Sequence, residues 1–75
     1  MDTTSISKLK IGSIGKLAHY TNDDIASKLM SMGVLPGSSV EIVSKAPFRS
    51  GYYIKVDGNC IALRTSEADH VFLSV

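Results

Sequence analysis

Lys28-Leu29-Met30-Ser31-Met32-Gly33-Val34-Leu35-Pro36-Gly37-Ser38-Ser39-Val40-Glu41-Ile42-Val43 joins a helix end, a turn and a strand, and each boundary carries its own chemistry. Ile25, Leu29 and Met32 are apolar at helical spacing, in a stripe widened by Ala26 and Met30. Gly33 stands where a helix stops most easily, by entering the left-handed conformation. Val34 and Leu35 make a short apolar run past the stop, able to pack back on the helix. Pro36-Gly37 is turn chemistry: proline presets φ, and glycine supplies the positive φ of a type II turn. Beyond it the period becomes two, with Val40 and Ile42 on one face and Ser39 and Glu41 on the other. The chain turns sharply here and enters a half-buried sheet.

Working outward toward the amino terminus, Thr21-Asn22-Asp23-Asp24 reads as the helix start, with Thr21 as cap and two carboxylates in the first turn. The helix is expected from about Asp23 to Met32. Lys16 to Tyr20 reads as the first strand, with Leu17 and His19 sharing a face, and Gly12 and Gly15 bracket a turn or bulge around Ile14. Residues 1–8 are polar and expected to be flexible, although Ile6 and Leu9 are able to tuck against the core. Toward the carboxyl terminus, Ala46-Pro47-Phe48-Arg49-Ser50-Gly51 is a loop with Phe48 near its tip. Tyr52 to Asp57 returns as a strand, Asp57-Gly58-Asn59 is a tight hairpin signal, and Cys60 to Arg64 follows as its partner. Thr65 to His70 is a break of about one helical turn opened by a Ser or Thr cap, and Val71 to Val75 closes as a strand. This makes a mainly β chain of about five short strands with one helix after the first strand, a pattern suited to a small barrel.

Composition narrows the function classes. The chain has 75 residues, 44% of them hydrophobic, and is read as one domain. A chain of this size buries only about 60–65% of its extended surface, so its core is modest. A net charge of +1 argues against a general nucleic-acid footprint, which needs a basic patch or stripe. No apolar run approaches the ~20 residues of a membrane span. Met1-Asp2-Thr3-Thr4-Ser5 lacks the basic and apolar regions of a signal peptide, and a single Cys60 excludes an internal disulfide; together they point to the cytoplasm, while the initiator Met and small size lead one to expect a free-standing domain.

The run Lys28-Leu29-x-x-x-Gly33-Val34-x-Pro36-Gly37-x-x-Val40 resembles the pattern of the FeoA family. Gly15-Lys16-Leu17, Ala46-Pro47, Ala62-Leu63-Arg64 and Ser66-Glu67-Ala68 fit the same family in the same order, so the resemblance covers about Leu9 to Leu73. One departure is that Ser50-Gly51-Tyr52 stands where many relatives carry a second proline. The resemblance implies a five-stranded Src-homology-3-like barrel with an inserted helix. It also implies a cytoplasmic accessory protein of ferrous-iron uptake whose partner is FeoB, the membrane transporter with a guanine-nucleotide-binding domain on its cytoplasmic side. The same barrel occurs as the carboxy-terminal domain of iron-dependent repressors, which supplies the alternative of a metal-responsive regulatory barrel.

The residues themselves offer little for catalysis. There is no nucleophile elbow and no phosphate-binding glycine loop, and nothing in the sequence sets a nucleophile beside His19 or His70. Cys60, His19 and His70 lack metal-ligand spacing, so no metal site and no cofactor are expected. Cys60 reads as a small buried hydrophobe, Met30 and Met32 as packing or contact residues, and Asp23 and Asp24 as favourable charge at a helix start. Arg64 is either a solvated charge or a contact for a partner carboxylate. Contact is the stronger functional idea. Met30, Val34, Leu35 and Phe48 lie at element boundaries, where exposed together they form a patch for a protein partner, or else cover one end of the barrel. Gly33, Pro36 and Gly37 are the structural turn beneath them.

Overall fold

The computed structural model describes residues 3–47 and 50–75. Six strands, β1 (Thr3–Ser5), β2 (Ile14–Tyr20), β3 (Ser39–Lys45), β4 (Gly51–Val56), β5 (Asn59–Arg64) and β6 (Val71–Ser74), form one antiparallel sheet in the order β1-β6-β2-β3-β4-β5. Helix α1 (Asp23–Ser31) is inserted between β2 and β3, and a short helix α2 (Thr65–Ala68) joins β5 to β6. The count is six strands rather than five. The pairings among the described residues leave β1 and β5 at the two ends of the strand order.

The extra strand lies in a segment that sequence reading left without an element. Thr4 pairs with Leu73, and Ile6, opening a 3-10 turn at Ile6–Lys8, has 0% exposure. Polar Thr and Ser side chains do not prevent an edge strand, because the pairing is made by the backbone, and full burial of an isoleucine contributes about 1.5–3 kcal/mol toward ordering the segment. The Tyr52 hydroxyl donates to the Ser7 carbonyl at 3.3 Å and ties the same turn to β4.

Alternation decides the core. Val40 and Ile42 of β3, Ile54 and Val56 of β4, and Ile61 and Leu63 of β5 all point inward. Cys60 instead is exposed, opposite Lys55, because strict alternation with Ile61 places it on the outer face; it is not the buried small hydrophobe expected. In β2 the register shifts between Leu17 and His19, so the two residues do not share a face: Leu17 is buried, His19 is exposed, and Tyr20 packs against the core. The turn before β2 sits at Gly12 (φ +90°), and Gly15 lies inside the strand, so the two glycines do not bracket a single turn. Asp57 (φ 50°) and Gly58 (φ 87°) are both left-handed and make a two-residue turn of the I′ kind between paired Val56 and Asn59.

Both helix starts differ from expectation in their caps. Asn22 caps α1: its side-chain oxygen accepts from the N–H groups of Asp24 at 3.0 Å and Ile25 at 3.1 Å. Thr21 is drawn to the other side, where its hydroxyl bonds His70 Nδ1 at 2.9 Å. Helix α2 has Arg64 as its N-cap, not a Ser or Thr. Its Arg64 N–H donates to the Glu67 carboxylate at 2.9 Å, so the acidic side chain at N3 reaches back to the N-cap as in the second half of a capping box.

Candidate functional site

The exit of α1 is built almost wholly from backbone hydrogen bonds. Met32 is the C-cap, and Gly33 follows with φ +88°. The Val34 N–H donates to the Leu29 carbonyl and the Gly33 N–H to the Met30 carbonyl, both at 3.0 Å. These are the two bonds of a Schellman motif, and its usual apolar contact is supplied by Leu29 and Val34, 0% and 1% exposed. The Ser38 N–H closes the next turn onto the Leu35 carbonyl at 2.9 Å, with Gly37 at φ +93°. That turn is clamped to β2, where the Gly37 N–H donates to the Leu17 carbonyl at 2.7 Å and the Leu17 N–H to the Ser38 carbonyl at 2.9 Å. From below, the Tyr20 hydroxyl donates to the Val34 carbonyl at 2.6 Å, and burial pushes its pKa up to about 12.

Val34 is therefore core and not a surface contact, because the Schellman geometry folds it back onto Leu29. It takes the core position expected of Met32, which is half-exposed past the end of the helical stripe. What the turn leaves in solvent is Met30, Met32 and Leu35, with Leu35 50% exposed. Phe48 lies outside the described residues.

A second feature was not singled out by sequence reasoning. A groove of about 550 Å³ opens where the end of the β4–β5 pair meets α2, lined among others by Lys28, Ser50, Tyr53, Ala62, Arg64 and Glu67. Lys28 of α1 reaches across to it, Nζ 2.6 Å from Glu67 Oε2. The Lys28 ammonium first, and then the Arg64 N–H, hold the Glu67 carboxyl below the usual carboxylate range. At the edge of the groove Gly51 allows β4 and β5 to pair closely, since a Cβ there would run into the Leu63 carbonyl oxygen. Lys28 and Glu67 are 39 residues apart, and only their places in two motif fragments hinted at a link.

The remaining polar candidates are scattered. The His19 ring stacks on Phe72 with centroids 4.9 Å apart, His70 is held by Thr21, and Cys60 stands alone on the outer face of β5. Asp23 and Asp24 occupy the first turn of α1. Among the described residues no group of three His, Cys, Asp or Glu is placed to hold a metal ion. None of the described helices is long and apolar enough to cross a membrane.

Comparison with known proteins agrees with this architecture. The FeoA domain family matches residues 4–75. The NMR structure of a FeoA-like protein from Clostridium acetobutylicum is 25% identical with a TM-score of 0.87, over 100% of this chain and 88% of that one. The zinc complex of Stenotrophomonas maltophilia FeoA, described as a prokaryotic SH3 domain protein, is 28% identical with a TM-score of 0.78, over 95% and 89%. T. acidophilum IdeR is 26% identical with a TM-score of 0.83, but this chain, matched over 100% of its length, spans only 35% of that one. No curated protein matches the chain.

Proposed function

This chain belongs to the FeoA family, and from that premise we propose that it is a non-catalytic cytoplasmic accessory protein of ferrous-iron transport that acts by contact with the cytoplasmic side of FeoB. The observation that carries the reading is the α1 exit. It is braced by backbone bonds and by the Tyr20 and Ser38 hydroxyls, yet it holds Met30, Met32 and Leu35 out in solvent. Large apolar groups kept exposed on a rigid base suit a docking surface, where a few anchors dominate the contact energy. The S. maltophilia relative, described as a proposed ferrous iron transport activating factor, supports the same assignment. With a net charge of +1, association should be steered little by long-range charge.

The test is Leu35→Asp, with Lys55→Asp on the exposed face of β4 as control. Leu35→Asp should weaken binding to the cytoplasmic part of FeoB by about tenfold or more and impair ferrous-iron uptake, with the circular dichroism spectrum unchanged. Wild-type binding and transport by a folded Leu35→Asp protein would remove this surface from the interface.

The likeness to T. acidophilum IdeR favours a second reading, a metal-responsive regulatory barrel. The two readings part on metal affinity. Under reducing conditions we expect no tight ferrous or zinc site in the isolated chain, since the donors are scattered. A stoichiometric site lost in Cys60→Ser or His19→Ala would favour the regulatory reading instead.

A further inference from the structure

The groove beside α2 has more cations than carboxylates in its lining. Lys28 and Arg64 line it, and Lys45 lines an adjoining hollow that shares Gly51 and Tyr52 with it. Among the described residues Glu67 is the only carboxylate lining either hollow, and its two oxygens are already taken by Lys28 Nζ and the Arg64 N–H. No ion pair is formed by Arg64 or Lys45 among the described residues. The other described carboxylates lie elsewhere: Asp23 and Asp24 at the start of α1, Asp69 after α2, and Glu41 and Asp57 around a separate hollow by the β4–β5 turn. Three cations, Lys28, Lys45 and Arg64, thus stand around a single carboxylate that is already engaged. The floor between them is not polar, because Tyr53 and Ala62 face outward as a cross-strand pair and Tyr53 is 43% exposed.

We infer that this groove is a docking site for an acidic peptide segment of a protein partner, its carboxylates meeting Arg64, Lys45 and Lys28 and an intervening apolar side chain lying on Tyr53 and Ala62. Tyrosine and arginine side by side are the residue types that anchor protein contacts, and guanidinium suits a carboxylate bidentately. A nucleic acid fits less well, because three cations around one carboxylate do not make the continuous basic stripe a phosphate backbone requires. The inference rests on the reading that the chain works by contact, but it involves a different surface from the α1 exit and does not depend on which partner carries the segment.

The experiment is a titration of the isotope-labelled full chain, followed by amide chemical shifts. The probes are a short glutamate-rich peptide with one central leucine, its glutamine twin, inorganic phosphate and oligothymidylate. The acidic peptide should shift the amides of Tyr53, Ala62 and Arg64, and raising the salt should weaken it. The glutamine twin, phosphate and oligothymidylate should leave these amides in place. Arg64→Gln combined with Lys45→Gln, both at exposed positions, should weaken the peptide about tenfold. Unmoved groove amides, equal shifts from the glutamine twin, phosphate or oligothymidylate, or undiminished binding by the double variant would each overturn the inference. Any of those results leaves the FeoB reading standing, since that reading is tested through Leu35.

Discussion

The chain leaves a helix for a strand, or a strand for a helix, at two places that solve the same problem in different ways. At the α1 exit the backbone does most of the work, through a Schellman motif, a closed turn and a clamp onto β2, with the neutral hydroxyls of Tyr20 and Ser38 completing it. At the β5–α2 junction a side chain does the work, with the Glu67 carboxylate bridging the Arg64 N–H and the Lys28 ammonium. The consequence is seen on the surface. Where no charge is needed to hold the junction, the surface side chains are apolar and exposed, as Met30, Met32 and Leu35 are. Where a charge holds the junction, further charges collect around it, and Arg64 and Lys45 remain to meet something else. The kind of partner each face suits thus follows from how each junction is held together.

The largest effect should come from packing at the charged junction. Gly51→Ala places a methyl 1.9 Å from the Leu63 carbonyl oxygen, a backbone atom that cannot rotate away. The strand pair must separate at Gly51↔Arg64, and a loss of about 3 kcal/mol is expected in urea unfolding, with the groove distorted as well. A change near zero would mean that this end of the β4–β5 pair is loose.

Gly33→Val tests the apolar junction and should cost about 2 kcal/mol. A Cβ there would meet nothing within 4 Å, so the effect expected is the backbone strain of a β-branched residue at φ +88°. Normal thermal stability in Gly33→Val would show that the Schellman geometry is not what sets the α1 exit.

Smaller effects separate the junctions by pH. The Tyr20 pKa is raised by burial, so the stability it contributes is fully present below the ordinary tyrosine range and is lost as pH rises through about 12. Tyr20→Phe, which removes the bond to the Val34 carbonyl, should cost about 1 kcal/mol at neutral pH and flatten that alkaline loss. Glu67 has the opposite sign. Its pKa is lowered, so its contribution is present above the ordinary carboxylate range and is lost as pH falls through the folded-state value. Lys28 is half-exposed and solvent screens the pair, so Glu67→Gln should cost only about 0.5 kcal/mol at neutral pH and remove the acid-side loss. A Glu67→Gln protein with an unchanged acid limb would assign that limb to other carboxylates.

How far each region was legible follows from the range of the interactions that make it. The α1 exit is written in neighbouring residues: a glycine stop, two apolar residues and a Pro-Gly turn act over six positions, Gly33 to Ser38. The β4–β5 turn is equally local, since Asp57 and Gly58 supply both left-handed residues. The core faces of β3, β4 and β5 could be read because a period of two survives in an unbroken strand. It failed in β2, where a bulge turned His19 outward, and a bulge leaves no mark in composition. The caps were missed because competing side chains stood in adjacent positions, Thr21 beside Asn22, and a distant residue, His70, settled which one faced the helix.

By itself the sequence determined the family, the placement of helix α1, the central strands and the turn chemistry, because each depends on short-range conformational preference and on periodic burial. Tertiary structure alone decided the sixth strand, the burial of Ile6 and Val34, the outward face of Cys60, and the meeting of Lys28 with Glu67. These depend on which distant backbone offers a free edge, on how much room a packed core leaves, and on which charge arrives opposite another once the chain has closed. Such quantities exist only in the folded arrangement, so the groove that gathers Lys28, Lys45 and Arg64 is a property of the fold and not of any one stretch of the chain.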